Sequence, residues 1–466
     1  MSAPFNGLKK LLSLRRNNLT EGSTFSNVIY LAIPLVIGAT MHTTQSLIDM
    51  FWVGRLGSVA LAAVAMGYTV IMVVVPLIFG IATGTISLVS QNIGAKRQID
   101  ADNVATQSII IALISSFILA VVGYIFAPDF LKALGAADEV ILAGTGYLRI
   151  LFLGSVTLFV MFLGSATLQG TGDVIVPTIV MILANVLNII LDPILIFGIG
   201  VPAMGVTGAA LATVISQGVS CVIILYILFK GHSHVHIRLK EFYLKPKIAW
   251  DILRIGIPSS LQLFFRTIMR VVLMGIVSAF GTYAVAAYGI GMRLQMVMLM
   301  PAFALGTSAA TLVGQNLGAG KVDKAKKSAL TATGIDLGIM LTTGILFFIF
   351  APQIVSIFDK TPEVIAIGTN YFRITALFYS FIAFGIVLNR ALGGAGDTVV
   401  PMIITFVSLW IILVPLAIFL SRYTSLGLNG VWYAMAVSTV VNGLLILFWF
   451  LTGNWKKGRL KKQPNL

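Results

Sequence analysis

An all-α integral membrane fold is predicted, with twelve transmembrane helices in two six-helix lobes related by a pseudo-two-fold axis along the membrane normal. Three observations predict it. Of the 466 residues, 58% are hydrophobic and only 10% are charged, a balance outside that of soluble domains. The apolar residues gather into twelve runs, each long enough to cross a bilayer, which takes ~20 residues. The second half of the chain repeats the first.

The runs lie at 27–48, 64–88, 106–127, 144–167, 175–199, 205–229, 249–279, 285–313, 329–351, 368–390, 398–421 and 429–452. The first and seventh carry matching Ile-Pro prolines, Pro34 and Pro258, and the second and eighth carry Pro76 and Pro301; these are places for bending. The fourth and tenth share a Tyr-x-Arg-Ile stretch at Tyr147 and Tyr371. The fifth and eleventh open on Pro177 and Pro401, where a missing N–H costs nothing. The sixth and twelfth close the two lobes.

Almost nothing is left for a soluble domain. The expected organisation is a basic cytoplasmic segment at 1–26, an N-terminal lobe at 27–230, a cytoplasmic linker at 231–248, a C-terminal lobe at 249–452 and a basic tail at 453–466. The opening MSAPFNGLKKLLSLRRNNL lacks a long apolar core and a small-residue cleavage site, so it reads as an amphipathic cytoplasmic segment rather than a signal peptide. A single cysteine, Cys221, allows no intrachain disulfide.

A net charge of +15 suggests nucleic acid in a soluble protein, but here its distribution reports topology and no nucleic-acid partner is expected. Of 31 Lys and Arg, 20 fall on alternate connections and the tails, and only Arg55, Lys132, Lys360 and Arg422 fall on the opposite set. The positive-inside rule then places both termini in the cytoplasm, as an even number of spans requires.

The repeat is explicit. LVSQNIGAKRQIDA at 88–101 recurs as LVGQNLGAGKVDKA at 312–325, and LQGTGDVIVP at 168–177 recurs as LGGAGDTVVP at 392–401. The aspartates at 173 and 397, the prolines at 34 and 258 and the tyrosines at 147 and 371 are all 224 positions apart. Six spans separate equivalents, so both halves enter the membrane in the same direction as a parallel repeat. Two such lobes facing a central cavity can rock, the usual basis of alternating access.

Repetition also supplies an internal control. Polar groups shared by both halves read as scaffold: Asp173 and Asp397 beside glycines read as helix entry. Polar groups in one half only are candidates for function. Asp49, Asn188 and Asp192 have Leu273, Ile412 and Leu416 at the equivalent places. A carboxylate in the bilayer costs about 2.5–3.5 kcal/mol or more on insertion scales, so it is retained when paired, protonated or lining a wet cavity.

Helical spacing groups these residues into stripes. Asn185, Asn188 and Asp192 form one on the fifth span, His42, Gln45 and Asp49 another on the first, and Thr213, Ser216, Gln217 and Ser220 a third on the sixth. Pro193 has no N–H for the carbonyl of Ile189. Two carboxylates, an amide and a loose carbonyl suit a proton or a small hard cation such as sodium. His232, His234 and His236 alternate in a basic loop, where period two suits no helical metal face.

The duplicated lobes, the aspartate before FWVG-x-LG, the N-x-x-x-DP of Asn188 to Pro193 and the paired G-x-GD turns resemble the multidrug and toxic compound extrusion (MATE) transporters over almost the whole chain. Within that family the pattern looks like the prokaryotic DNA-damage-inducible (DinF-like) branch. The resemblance implies a non-enzymatic antiporter, coupled to protons and/or sodium, that exports amphipathic, often cationic, drug-like compounds. It assigns the coupling to Asp49, Asn188, Asp192 and, from GAALAT, Thr213, with no cofactor and no metal beyond sodium at the first three. His42, Gln45, Asn185, Gln217, Met161, Met292 and Met296 are expected to line the cavity, the methionines repacking around varied apolar shapes. Another branch uses a glutamate on the seventh span; Arg266 stands there instead, which puts a C-lobe sodium site in doubt. Arg266 and Arg270 either pair with an acid such as Asp336 or snorkel. A monomer in the inner (plasma) membrane of a prokaryote, bathed by lipid, is the expected setting.

Two rivals stand beside this reading. A flippase of lipid-linked intermediates shares the topology but calls for a strongly basic cavity. An intramembrane enzyme calls for motifs such as H-E-x-x-H or a nucleophile elbow, and the sequence has neither. LGAGKVDK at 317–324 lacks the Ser/Thr and the first glycine of a phosphate loop, so an ion gradient rather than ATP is the expected energy source.

Overall fold

Inside hydrocarbon every backbone N–H and C=O must find a partner within its own segment, so each apolar run has to become a helix. A computed structural model describes residues 18–231 and 233–457; the basic residues at 1–17 and 458–466 and His232 lie outside them. Among the described residues, ten helices are long and apolar enough to cross a membrane, and two bent pairs complete twelve spans.

The first half comprises α1 (Thr24–Gly54), α2 (Ser58–Gly94), α3 (Gln98–Ala133), the bent pair α4 (Asp138–Leu153) and α5 (Ser155–Thr171), α6 (Ile175–Phe197) and α7 (Val206–Lys230). The second comprises α8 (Pro246–Ser278), α9 (Thr282–Met298), α10 (Met300–Gly318), α11 (Val322–Ile349), the short α12 (Ala351–Phe358), α13 (Pro362–Ala376), α14 (Ser380–Ala383), α15 (Asn389–Gly394), α16 (Val399–Phe406), α17 (Val414–Arg422) and α18 (Leu428–Thr452).

Several spans depart from a plain helix. The fourth span bends by 44° between α4 and α5, at Gly154, which lies against the side chain of Val214 on α7. The tenth bends by 57° where the Phe378 and Tyr379 N–H groups donate to carbonyls three residues back. Pro76 lies inside unbroken α2, whereas its counterpart Pro301 opens α10 after a break at Leu299. Two π-helical stretches, Phe384–Leu388 and Val407–Leu413, are confined to the second half. In the repeat the latter is equivalent to 183–189, the stretch holding Asn185 and Asn188, and π turns concentrate at functional sites.

The chain forms two compact units, one of Ile33–Gly256 and one of Thr20–Ala32 with Ile257 onward. Both cuts fall just before the paired prolines Pro34 and Pro258, so α1 and α8 each divide between units. Within the second unit, Ser308 donates to the Val28 carbonyl at 3.0 Å, and Lys324 donates to the Thr20 carbonyl at 3.0 Å. Ala127, Leu131, Leu148 and Phe152 form one buried cluster of the first unit. Tyr288, Tyr371 and Trp432 centre the second, their rings 5.0–6.2 Å apart.

The connection after α7 is held on α3. The His236 backbone N–H donates to Asp102 at 2.9 Å, the Lys245 N–H donates to Gln107 at 2.8 Å, and Gln107 donates to the Tyr243 carbonyl at 2.8 Å. Lys326 and Thr331 occupy the equivalent places in the second half, so this dock belongs to the first unit alone.

Close approach of α6 and α7 sets the polar site. Gly208 sits so near the Leu195 carbonyl that a Cβ there would stand 2.6 Å from its oxygen, a distance only backbone movement relieves. Gly208→Val is therefore expected to destabilise the protein by roughly 1–3 kcal/mol or more, the usual cost of overpacking. A lowered melting temperature of the purified variant checks this.

Candidate functional site

Three helices of the first unit bring the predicted polar stripes together. Asn188, fully buried on α6, is the hub. Its carbonyl accepts from Gln45 Nε2 at 2.6 Å, and its amide nitrogen reaches Asp192 Oδ1 at 3.4 Å and Thr213 Oγ1 at 3.5 Å. Thr213 anchors itself to the Ala209 carbonyl at 3.1 Å. Asn185, turned to satisfy both ends of its amide, donates to Gln45 Oε1 at 2.6 Å. Pro193 lies within α6, so Ile189 has no backbone donor four residues on.

The carboxyl groups of Asp49 and Asp192 lie within hydrogen-bonding reach of each other, and Gln45 reaches Asp49. Asp192 is fully buried. Asp49 Oδ1 and Asp192 Oδ2 are both buried with no donor from the protein. An ionised carboxylate only accepts hydrogen bonds, so two in contact repel unless a proton or a cation lies between them. The available oxygens, from two carboxylates, an amide and a hydroxyl, are the hard donors that sodium takes. No group of three His, Cys, Asp or Glu side chains suited to a metal occurs among the described residues.

Other predicted residues fall elsewhere. The His42 side chain is exposed and takes no part in this network. Gln217 accepts from Thr157 on α5 at 3.4 Å, Ser216 bonds the Ala212 carbonyl, and Ser220 bonds the Val180 carbonyl, so the stripe on α7 splits. Met161 is half-buried in the first unit. Met292 packs on the core of the second, while Met296 is exposed.

Asp173 accepts from the Val176 N–H at 3.2 Å, the helix-entry contact predicted for it. Asp397 accepts from the Trp449 indole at 2.7 Å. Asp336 is fully buried, with neither oxygen hydrogen-bonded. No ion pair joins it to Arg266 or Arg270 among the described residues; the charges acting on Arg266 are those of Arg270 and Arg390.

Tyr147 was not legible as a site residue. The charges of Asp49 and Asp192, with Tyr68, act on it, and its ring lies against Gly67. Because Tyr371 lies against Gly291 in the same way, the internal control assigns the pair to scaffold. The acids near Tyr147 distinguish it, since the charge near Tyr371 is that of Arg270.

The MatE family pattern matches residues 34–194 and again 258–419, the two copies beginning at the paired prolines. The chain is 31% identical over 92% of its length to a probable multidrug resistance protein NorM of Thermotoga maritima, covering 93% of that protein. It is 28% identical over 92% of its length to an FAD transporter of Shewanella oneidensis, covering 95% of it. A crystal structure of a MATE protein in the bent conformation superposes with a TM-score of 0.89 at 29% identity, over 96% of this chain and 98% of that one. Twelve spans, a duplicated pattern and likeness along nearly the full length agree: the chain belongs to the MatE family and is a multi-pass membrane transporter, not an enzyme.

Proposed function

We propose that the protein is a cation-coupled antiporter that exports amphipathic, often cationic organic compounds by alternating access. Asp49 and Asp192 form its switch. The observation that carries this reading is the pair of neighbouring carboxyl groups, each with one buried oxygen that takes no hydrogen bond from the protein. Loading the pair with protons or sodium removes the repulsion, draws α1 toward α6 through Gln45 and Asn188, and reshapes the cavity so that cargo leaves. Unloading restores the charge and readmits cargo. The protein acts as a monomer in the inner membrane with both termini cytoplasmic.

Relatives named for multidrug resistance support an export role. The Shewanella relative is named for FAD, a phosphate-bearing amphiphile, so cargo of either charge fits the architecture. Reconstituted protein loaded with a fluorescent cationic dye, under separately imposed proton and sodium gradients, tests the reading. Export driven by at least one gradient is expected, and its identity names the coupling ion. Export under neither gradient contradicts the proposal.

A further inference from the structure

The internal control that singles out the acids of the first unit also singles out arginines in the second. Arg266 and Arg270 on α8 and Arg390 on α15 have His42, Ser46 and Ala166 at the equivalent places. They are therefore no part of the duplicated scaffold, unlike Arg149 and Arg373, which repeat.

These three side chains share one neighbourhood. The charges of Arg270 and Arg390 both act on Arg266. The stem of Arg390 runs over Gly306, which gives it room on α10. Its guanidinium lies 5.2 Å from the Phe303 ring centroid and donates to Thr307 Oγ1 at 3.3 Å. Arg266 and Arg270 have no hydrogen-bond or ion-pair partner among the described residues, and no carboxylate pairs with any of the three. By contrast, Arg149 donates to the Tyr124 carbonyl and stacks on that ring.

Depth makes the arrangement costly. Gln262, one turn before Arg266, donates to the Pro401 carbonyl at 3.0 Å and to Thr405 at 2.7 Å, inside the start of the eleventh span. Arg266 lies about 6 Å further along α8, by the rise of a helix. Like charges gathered at that depth repel in a medium that screens poorly, and they persist where an anion compensates them. Guanidinium forks match phosphate oxygens in geometry as well as in charge.

We propose that Arg266, Arg270 and Arg390 form an anion site in the second unit that takes the phosphate of an amphiphile, either a soluble cargo or a lipid headgroup. Phe303 supplies an adjoining aromatic surface for its apolar part. As a cargo site this rests on the export reading above; as a binding site it stands by itself.

Flavin mononucleotide and riboflavin share one fluorescent ring and differ by a phosphate, so they separate charge from apolar contact. With the full-length protein in phospholipid-free detergent, fluorescence polarisation is expected to show flavin mononucleotide bound at least about tenfold more tightly than riboflavin. Inorganic phosphate is expected to compete. Arg266→Gln and Arg390→Gln are expected to abolish the difference, Arg266→Lys to keep part of it, and Arg149→Gln, at a repeated arginine that stacks on Tyr124, to leave it intact. A phospholipid that native mass spectrometry finds on the wild type but not on Arg266→Gln identifies the headgroup as the source of the phosphate. Equal binding of the two flavins together with no arginine-dependent lipid overturns the proposal, as does unchanged flavin mononucleotide affinity in folded Arg266→Gln and Arg390→Gln.

Discussion

Asp192→Asn is expected to remove gradient-driven export while leaving the fold intact. Asparagine keeps the shape of the side chain and can still bond Asn188, which now approaches Asp192 at 3.4 Å. What it loses is the charge that a proton or sodium neutralises. Coupling free energies between linked sites are typically about 1–3 kcal/mol, or about 5–150-fold, so export should fall by at least the lower factor and lose its response to the driving gradient. Asp49→Asn should behave alike, and the double variant should be little worse than either single one, because removing one member already ends the repulsion. Export rates in reconstituted vesicles, with melting temperatures as the folding control, check all three. Wild-type export by Asp192→Asn reduces the residue to a structural hydrogen bond.

The largest stability effect is expected at Asn188. Its side chain takes a hydrogen bond from Gln45 at 2.6 Å and supports Asp192 and Thr213, all from a fully buried position. Asn188→Ala leaves Gln45 without its acceptor and Asp192 without its donor. Each unsatisfied buried group costs about 1–3 kcal/mol, so a combined loss of roughly 2–4 kcal/mol is expected and should appear as a lower melting temperature. Asn188→Asp keeps the acceptor for Gln45 but places a third carboxylate beside two others. It is expected to be the more harmful change for export at neutral pH and to recover partly as pH falls and protons neutralise the cluster. A variant as stable and as active as wild type shows that the hub has no such role.

Much of this fold is visible in the sequence because hydrocarbon leaves the backbone so few options. Twelve runs and a 224-residue repeat suffice for the spans and their pairing. The breaks at Gly154 and at Leu377–Tyr379 are not visible, since no proline marks either of them. At the site, comparing the halves isolates Asp49, Asn188 and Asp192, and spacing places Gln45 and Asn185 with them. The same comparison hides Tyr147, whose counterpart Tyr371 lies against a glycine in the same way. It also leaves Arg266 apart from Arg390, because residues more than a hundred positions apart come within electrostatic range only in the folded chain.

The central claim is that cargo and cation compete through the carboxyl pair, and it is tested most directly by linkage. Affinity of the purified protein for a cationic dye should be measured across pH and across sodium concentration, in wild type and in Asp192→Asn. If loading the pair expels cargo, dye binding weakens in wild type as pH falls or as sodium rises, and the same dependence is absent in the variant. An Asp192→Asn protein whose dye affinity tracks pH and sodium as the wild type does would contradict the switch, whatever its export rate.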